Sequence, residues 1–198
     1  EETWILEDEN SPLWLLQGRF GIQLLNYFLT DYGRFAPFLW DFLSVLIWFF
    51  SGIIFSWSLF EQTGRGTKKL PLFFFLAYFS SVPFVEGEIF AFSQFDLQIT
   101  IGMLCCAVSF MILCDYIKDR KKWEIPAALF LLIFSFSIYQ AYICVFVTAV
   151  VAYCLIEFIN LDAALGKRIC LFAVICIIAV VLYCAINLLI STIIGSAG

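Results

Sequence analysis

Apolar and polar residues fall along this chain in long blocks rather than in short alternations. Apolar runs at about 36–60, 71–85, 98–116, 125–139, 141–158 and 169–192 are separated by short polar connections. A bilayer core of ~30 Å asks for about 20 apolar residues in a helix, so these runs predict about six transmembrane helices. The second and fourth are shorter than that and must be sheltered by neighbours or lengthened by their flanks. Ahead of them, residues 18–31 carry a different rhythm. Arg19, Gln23, Asn26 and Thr30 share one helical face, while Phe20, Leu24, Leu25, Phe28 and Leu29 cover the other. That pattern predicts a short amphipathic helix lying at the membrane interface. Tyr32-Gly33-Arg34 and Pro37 end it.

Charge orients these elements. Of the eleven basic residues, Arg65, Lys68, Lys69, Lys118, Arg120, Lys121, Lys122, Lys167 and Arg168 lie in three short connections on one side of the predicted membrane. Short loops rich in Lys and Arg stay cytoplasmic. Glu1, Glu2, Glu7, Asp8, Glu9, Asp31, Glu86, Glu88 and Asp96 then fall on the outer face with Arg19 and Arg34. The expectation is one all-α, multi-pass membrane domain over 1–198. Residues 1–35 form an exoplasmic loop with its interfacial helix, and 36–198 form the transmembrane part. With no initiating Met and an end just after an apolar run, the chain reads as a fragment truncated at both ends.

Composition agrees with this class. Apolar residues make up 63% of the chain and Phe alone numbers 24, well above the roughly 45–50% apolar content of soluble domains. The basic loops are too short to be a nucleic-acid surface, so no nucleic-acid partner is expected. All eight cysteines lie in or at the edges of apolar spans, which predicts free packing residues rather than a disulfide set. Histidine is absent. His-based triads and His-ligated zinc are therefore excluded, and carboxylates become the main proton-transfer candidates. No metal or cofactor is expected, although a divalent-cation requirement stays open.

Candidate chemistry gathers on the predicted outer face. Carboxylates at the N terminus precede Gly18-Arg19, Asp96 closes an aromatic stretch, and Tyr139-Gln140 sits between two spans. A carboxylate there can activate a hydroxyl while an arginine holds a phosphate. The same residues also read as solvated loop charges and an arginine snorkelling to the headgroups. Asp41, near the outer end of the first span, reads either as a functional intramembrane charge or as one that reaches water. Asn187 in the last span reads as an interhelical hydrogen-bond donor.

The wording of the motifs adds a resemblance. Trp14-Leu15-Leu16-Gln17-Gly18-Arg19-Phe20, with an acidic pair upstream, resembles the acidic-then-Gly-Arg-aromatic signature of the GtrII family of bacterial membrane glucosyltransferases. Phe90-Ala91-Phe92-Ser93-Gln94-Phe95-Asp96 and Ser137-Ile138-Tyr139-Gln140-Ala141-Tyr142 follow in that family's order. The likeness runs from Glu1 to about Ile159, and the last span is generic. It implies a GT-C-like fold and transfer of glucose from a polyprenyl-phosphate donor to a surface glycan such as O-antigen, at the outer face of the bacterial cytoplasmic membrane. It further implies Glu1, Glu2, Asp8 and Asp96 as catalytic candidates, with Glu1, Glu2 and Asp8 as alternatives for the base. Arg19, Gln94, Tyr139 and Gln140 would bind substrate. The rival reading is a membrane transporter or a flippase for lipid-linked sugars. It calls for inverted repeats and mid-membrane charge, neither of which the sequence contains.

Overall fold

A computed structural model of the chain describes residues 15, 17–30, 37–62, 96–159 and 165–195, with only the backbone of Thr30, Pro37, Gln62, Asp96, Ile194 and Gly195. Six helices occupy these residues: α1 Phe20–Thr30, α2 Pro37–Gln62, α3 Asp96–Asp119, α4 Glu124–Ile138, α5 Tyr142–Ile159 and α6 Leu165–Gly195. No strand occurs among the described residues. Four of the helices (α2, α3, α5 and α6) are long and apolar enough to cross a membrane, which makes this an integral membrane protein. The predicted span at 71–85 lies outside the described residues. The predicted span at 125–139 is α4, a helix of 15 residues and about 22 Å, shorter than the bilayer core. Its Ala128, Leu132 and Phe136 are fully buried, so neighbouring helices shelter it.

Phe110 on α3 is the hub of the core. Its ring is fully buried and meets Phe55 of α2 at 5.8 Å, Phe146 and Tyr153 of α5 at 6.3 and 6.5 Å, and Phe172 of α6 at 5.9 Å. One aromatic cluster thus binds four helices. Hydroxyls tie α3 to α4: Ser109 Oγ donates to Ala128 O at 2.9 Å and Ser135 Oγ to Gly102 O at 2.8 Å. In an apolar medium, small and hydroxyl residues are the usual means of close helix approach. At Gly102 the approach is close enough that a Cβ would stand 2.6 Å from the Tyr142 ring.

The bundle has two distinct ends. At one, Lys118 pairs with Glu61, Lys121 with Asp119, and Arg168 with Glu157. Asp119 holds the exposed Lys121 ammonium above its ordinary pKa. The other end carries the α4–α5 turn at Tyr139–Ala141 and the N-terminal turn at Gln17–Arg19. All eight cysteines are free, with Cys106 and Cys114 in the core and Cys144, Cys170 and Cys184 on the helix surface.

α1 packs against α3 and α4 with its polar side inward. Asn26 is almost fully buried and its Oδ1 accepts from Gln98 Nε2 at 2.7 Å, whereas Leu24, Tyr27 and Phe28 are exposed. The amphipathic spacing read from the sequence is present. The helix begins at Phe20 rather than at residue 18, because Gln17 and Gly18 form a turn.

Candidate active site

The site is built around Gly18. Its φ of +79° lies in the left-handed region, which glycine adopts without steric cost. It also has no room for a side chain: a Cβ would stand 2.6 Å from Tyr183 Oη and 3.0 Å from Asn187 Nδ2. The turn therefore lies directly on α6. From it Arg19 projects over the ring of Tyr139, with Cζ 5.5 Å from the centroid. Phe20 opens α1 and stacks on Tyr183 at 6.1 Å. One further contact fixes α1 to the turn: a Cβ at Gly21 would collide with Ser137 and Ile138 at the end of α4.

A chain of hydrogen bonds joins the three elements. Gln140 Nε2 donates to Gln17 O at 3.2 Å and to Tyr183 Oη at 2.8 Å, and Tyr183 Oη donates to Gly18 O at 3.0 Å. Tyr139 meets Tyr142 edge to face, and Tyr142 Oη is anchored on Ile99 O, so the arginine's platform rests on α3. The Tyr139 ring meets the guanidinium through its π face. α6 continues past Tyr183 to Gly195, about 18 Å further.

Three of the residues expected at the site are thus brought together: Arg19, Tyr139 and Gln140. Asp96 is the first residue of α3, two positions before the buried Gln98 that holds Asn26. Glu1, Glu2, Asp8 and Gln94 lie outside the described residues. Asp41 is half-buried in the second turn of α2, and its Oδ1 makes no hydrogen bond among the described residues. Among the described residues no three metal-ligating side chains come together.

Two further residues join the site: Tyr183 is not singled out by the sequence, and Asn187 is read there as an interhelical hydrogen-bond donor. Tyr183 and Asn187 come from the span read as generic, and Asn187 faces the Gly18 turn with its Oδ1 buried and, among the described residues, without a hydrogen-bond partner. Their spacing is the signal that could have revealed them: two polar groups one helical turn apart, in a stretch otherwise almost wholly apolar.

A Gly-Arg-aromatic turn docked on a Tyr-Gln turn within a membrane helix bundle agrees with the motif order read above. The family model described as Glucosyl transferase GtrII matches residues 5–198, nearly the whole chain. The chain belongs to the GtrII family. No curated protein and no solved structure matches it. As a GtrII protein it is a membrane-embedded glycosyltransferase, which brings together a sugar donor and a glycan acceptor. The match includes α6, so the GtrII region extends past Ile159 to take in Tyr183 and Asn187.

Proposed function

We propose that this GtrII protein transfers glucose from a polyprenyl-phosphate donor to a cell-surface glycan, O-antigen or a similar polymer, at the outer face of the bacterial cytoplasmic membrane. The fold is GT-C-like, with about six spans and the Gln17–Arg19 and Tyr139–Ala141 turns on the exoplasmic side. The observation that carries this reading is Arg19 on Tyr139, beside Gln140, at the end opposite the basic residues. The basic loops assign their own end to the cytoplasm. A guanidinium held there, within an apolar bundle, suits a phosphate tethered to an isoprenoid tail.

The reaction is a displacement at the anomeric carbon. The acceptor hydroxyl oxygen forms a bond to that carbon as the bond to the phosphate oxygen breaks, and the electron pair leaves on the phosphate. An N-terminal carboxylate (Glu2, Glu1 or Asp8) takes the hydroxyl proton. Asp96 orients the acceptor or the sugar, and Gln94, Tyr139 and Gln140 line the pocket. Arg19 offsets the charge of the leaving phosphate. Polyprenyl phosphate leaves as a stable anion, so the scheme needs no general acid.

The test is transfer of labelled glucose from polyprenyl-phosphate glucose to surface glycan by full-length protein in vesicles. Labelled glycan is expected. Folded protein that labels no glycan overturns the proposal.

A further inference from the structure

The hydrogen bonds around Gln140 fix which atom of that side chain a ligand meets. Gly18 O and Gln17 O are carbonyls and can only accept. Tyr183 Oη stands 3.0 Å from Gly18 O, so its single hydrogen points there and its lone pairs face Gln140. The Gln140 amide thus meets an acceptor at 2.8 Å on Tyr183 and another at 3.2 Å on Gln17. Only an NH2 group satisfies both. Reversing the amide would set its oxygen against two acceptors, so its orientation follows from the chemistry of its neighbours. Both N–H bonds are then engaged within the protein. Gln140 is nonetheless exposed, and among the described residues its Oε1 makes no hydrogen bond.

We infer that Gln140 is a one-sided acceptor that reads a hydroxyl of the donor sugar, and that Tyr183 is the positioning residue that sets this specificity. Phosphate oxygens accept and cannot donate to Oε1, so Gln140 has nothing to offer the phosphate. A sugar hydroxyl donates, and Oε1 is the group left to receive it. Arg19, 5.5 Å from the neighbouring Tyr139 ring centroid, has the opposite capacity: five donors and no acceptor. The two side chains divide the donor between them, phosphate to Arg19 and sugar to Gln140. This deepens the polyprenyl-phosphate reading and rests on it.

The experiment is equilibrium binding, which needs no acceptor glycan. Full-length protein in nanodiscs is titrated with a short-chain isoprenyl-phosphate glucose, with each of its monodeoxyglucose analogues, and with the sugar-free isoprenyl phosphate. Wild type is expected to bind one deoxy analogue about tenfold more weakly than the glucose compound, the effect of one hydrogen bond of about 1.4 kcal/mol. Tyr183→Phe keeps the ring that stacks on Phe20 but frees the Gln140 amide. The freed Gly18 O loosens the Arg19 turn as well, a loss that all the compounds share. Beyond that shared loss, the variant is expected to lose about a further tenfold on the glucose compound alone, so that it no longer distinguishes glucose from that deoxy analogue. Gln140→Leu should lose the same distinction, and the double variant should lose no more of it than either single one. A Tyr183→Phe loss shared equally by glucose, deoxy and sugar-free compounds overturns the inference, since that is what a general loosening of the site would give. A wild type that binds none of these compounds overturns the donor reading as a whole.

Discussion

Arg19 Cζ stands 5.5 Å above the centroid of the Tyr139 ring, although 120 positions separate the two residues in the chain. Neither turn makes this contact by itself. Gly18 lets the first turn bend onto α6, Gln140 ties the second turn to the first, and Tyr183 bonds to both. The arginine is therefore held by three segments, of which the last lies beyond the motifs visible in the sequence.

Gly18→Ala tests that bend. Left-handed backbone costs a residue with a Cβ roughly 1–2 kcal/mol, and the added methyl would stand 2.6 Å from Tyr183 Oη. The variant is expected to lower the thermal midpoint in detergent and to reduce transfer at least tenfold. Gly166→Ala is the control. It lies in α6 with no neighbouring atom within 4 Å, so stability should hold or rise by about 0.5–1 kcal/mol. Equal behaviour of the two variants would contradict the docking of the Gly18 turn.

The sequence is most informative where lipid dictates the pattern and least where side chains meet across the bundle. α2, α3, α5 and α6 follow from apolar length, since a membrane-crossing helix must satisfy its backbone internally over about 20 residues. The spacing of Gln23 and Asn26 revealed the polar side of α1, but that this side turns inward shows only in the Asn26–Gln98 contact. Arg19, Tyr139 and Gln140 were legible through motif wording. Tyr183 was not, because a tyrosine among Val, Leu and Ile reads as packing, and its partners are a carbonyl and an amide far away in sequence.

At the basic end, Arg168 Nη1 lies 2.6 Å from Glu157 Oε2 and 3.2 Å from Tyr153 Oη, which ties α5 to α6. Glu157 is only 4% exposed. Removing one partner of a buried pair costs about 3–5 kcal/mol, and the partial exposure of Arg168 places this case near the lower bound. Glu157→Gln should therefore lose about 3 kcal/mol in chemical unfolding while leaving the donor KM unchanged, because the site lies at the opposite end. A changed KM with unchanged stability would contradict this division.

Sidedness has its own test. With the eight native cysteines replaced, a cysteine at Thr67 should resist a membrane-impermeant thiol reagent in intact cells, and one at Gly87 should label. Reversed labelling would move the Arg19 site to the cytoplasmic face.

Asp96→Asn should lower transfer at least tenfold with expression and insertion unchanged, if that carboxylate orients a substrate hydroxyl. Glu88→Gln removes a charge from the same connection and should be nearly silent. Full activity in Asp96→Asn would leave the chemistry to the N-terminal acids.

The central claim is that Arg19 holds the donor phosphate, and transfer kinetics of Arg19→Ala test it most directly. Loss of a charged hydrogen bond to phosphate costs about 1.5–3 kcal/mol, roughly ten- to a hundredfold in kcat/KM for polyprenyl-phosphate glucose. Arg19→Lys should recover only part of this, because an ammonium lacks the planar two-pronged contact. Arg34→Ala, the matched loss of an arginine from the N-terminal region, should change little. Equal small effects at Arg19 and Arg34 would contradict the account and reduce Arg19 to an interfacial anchor.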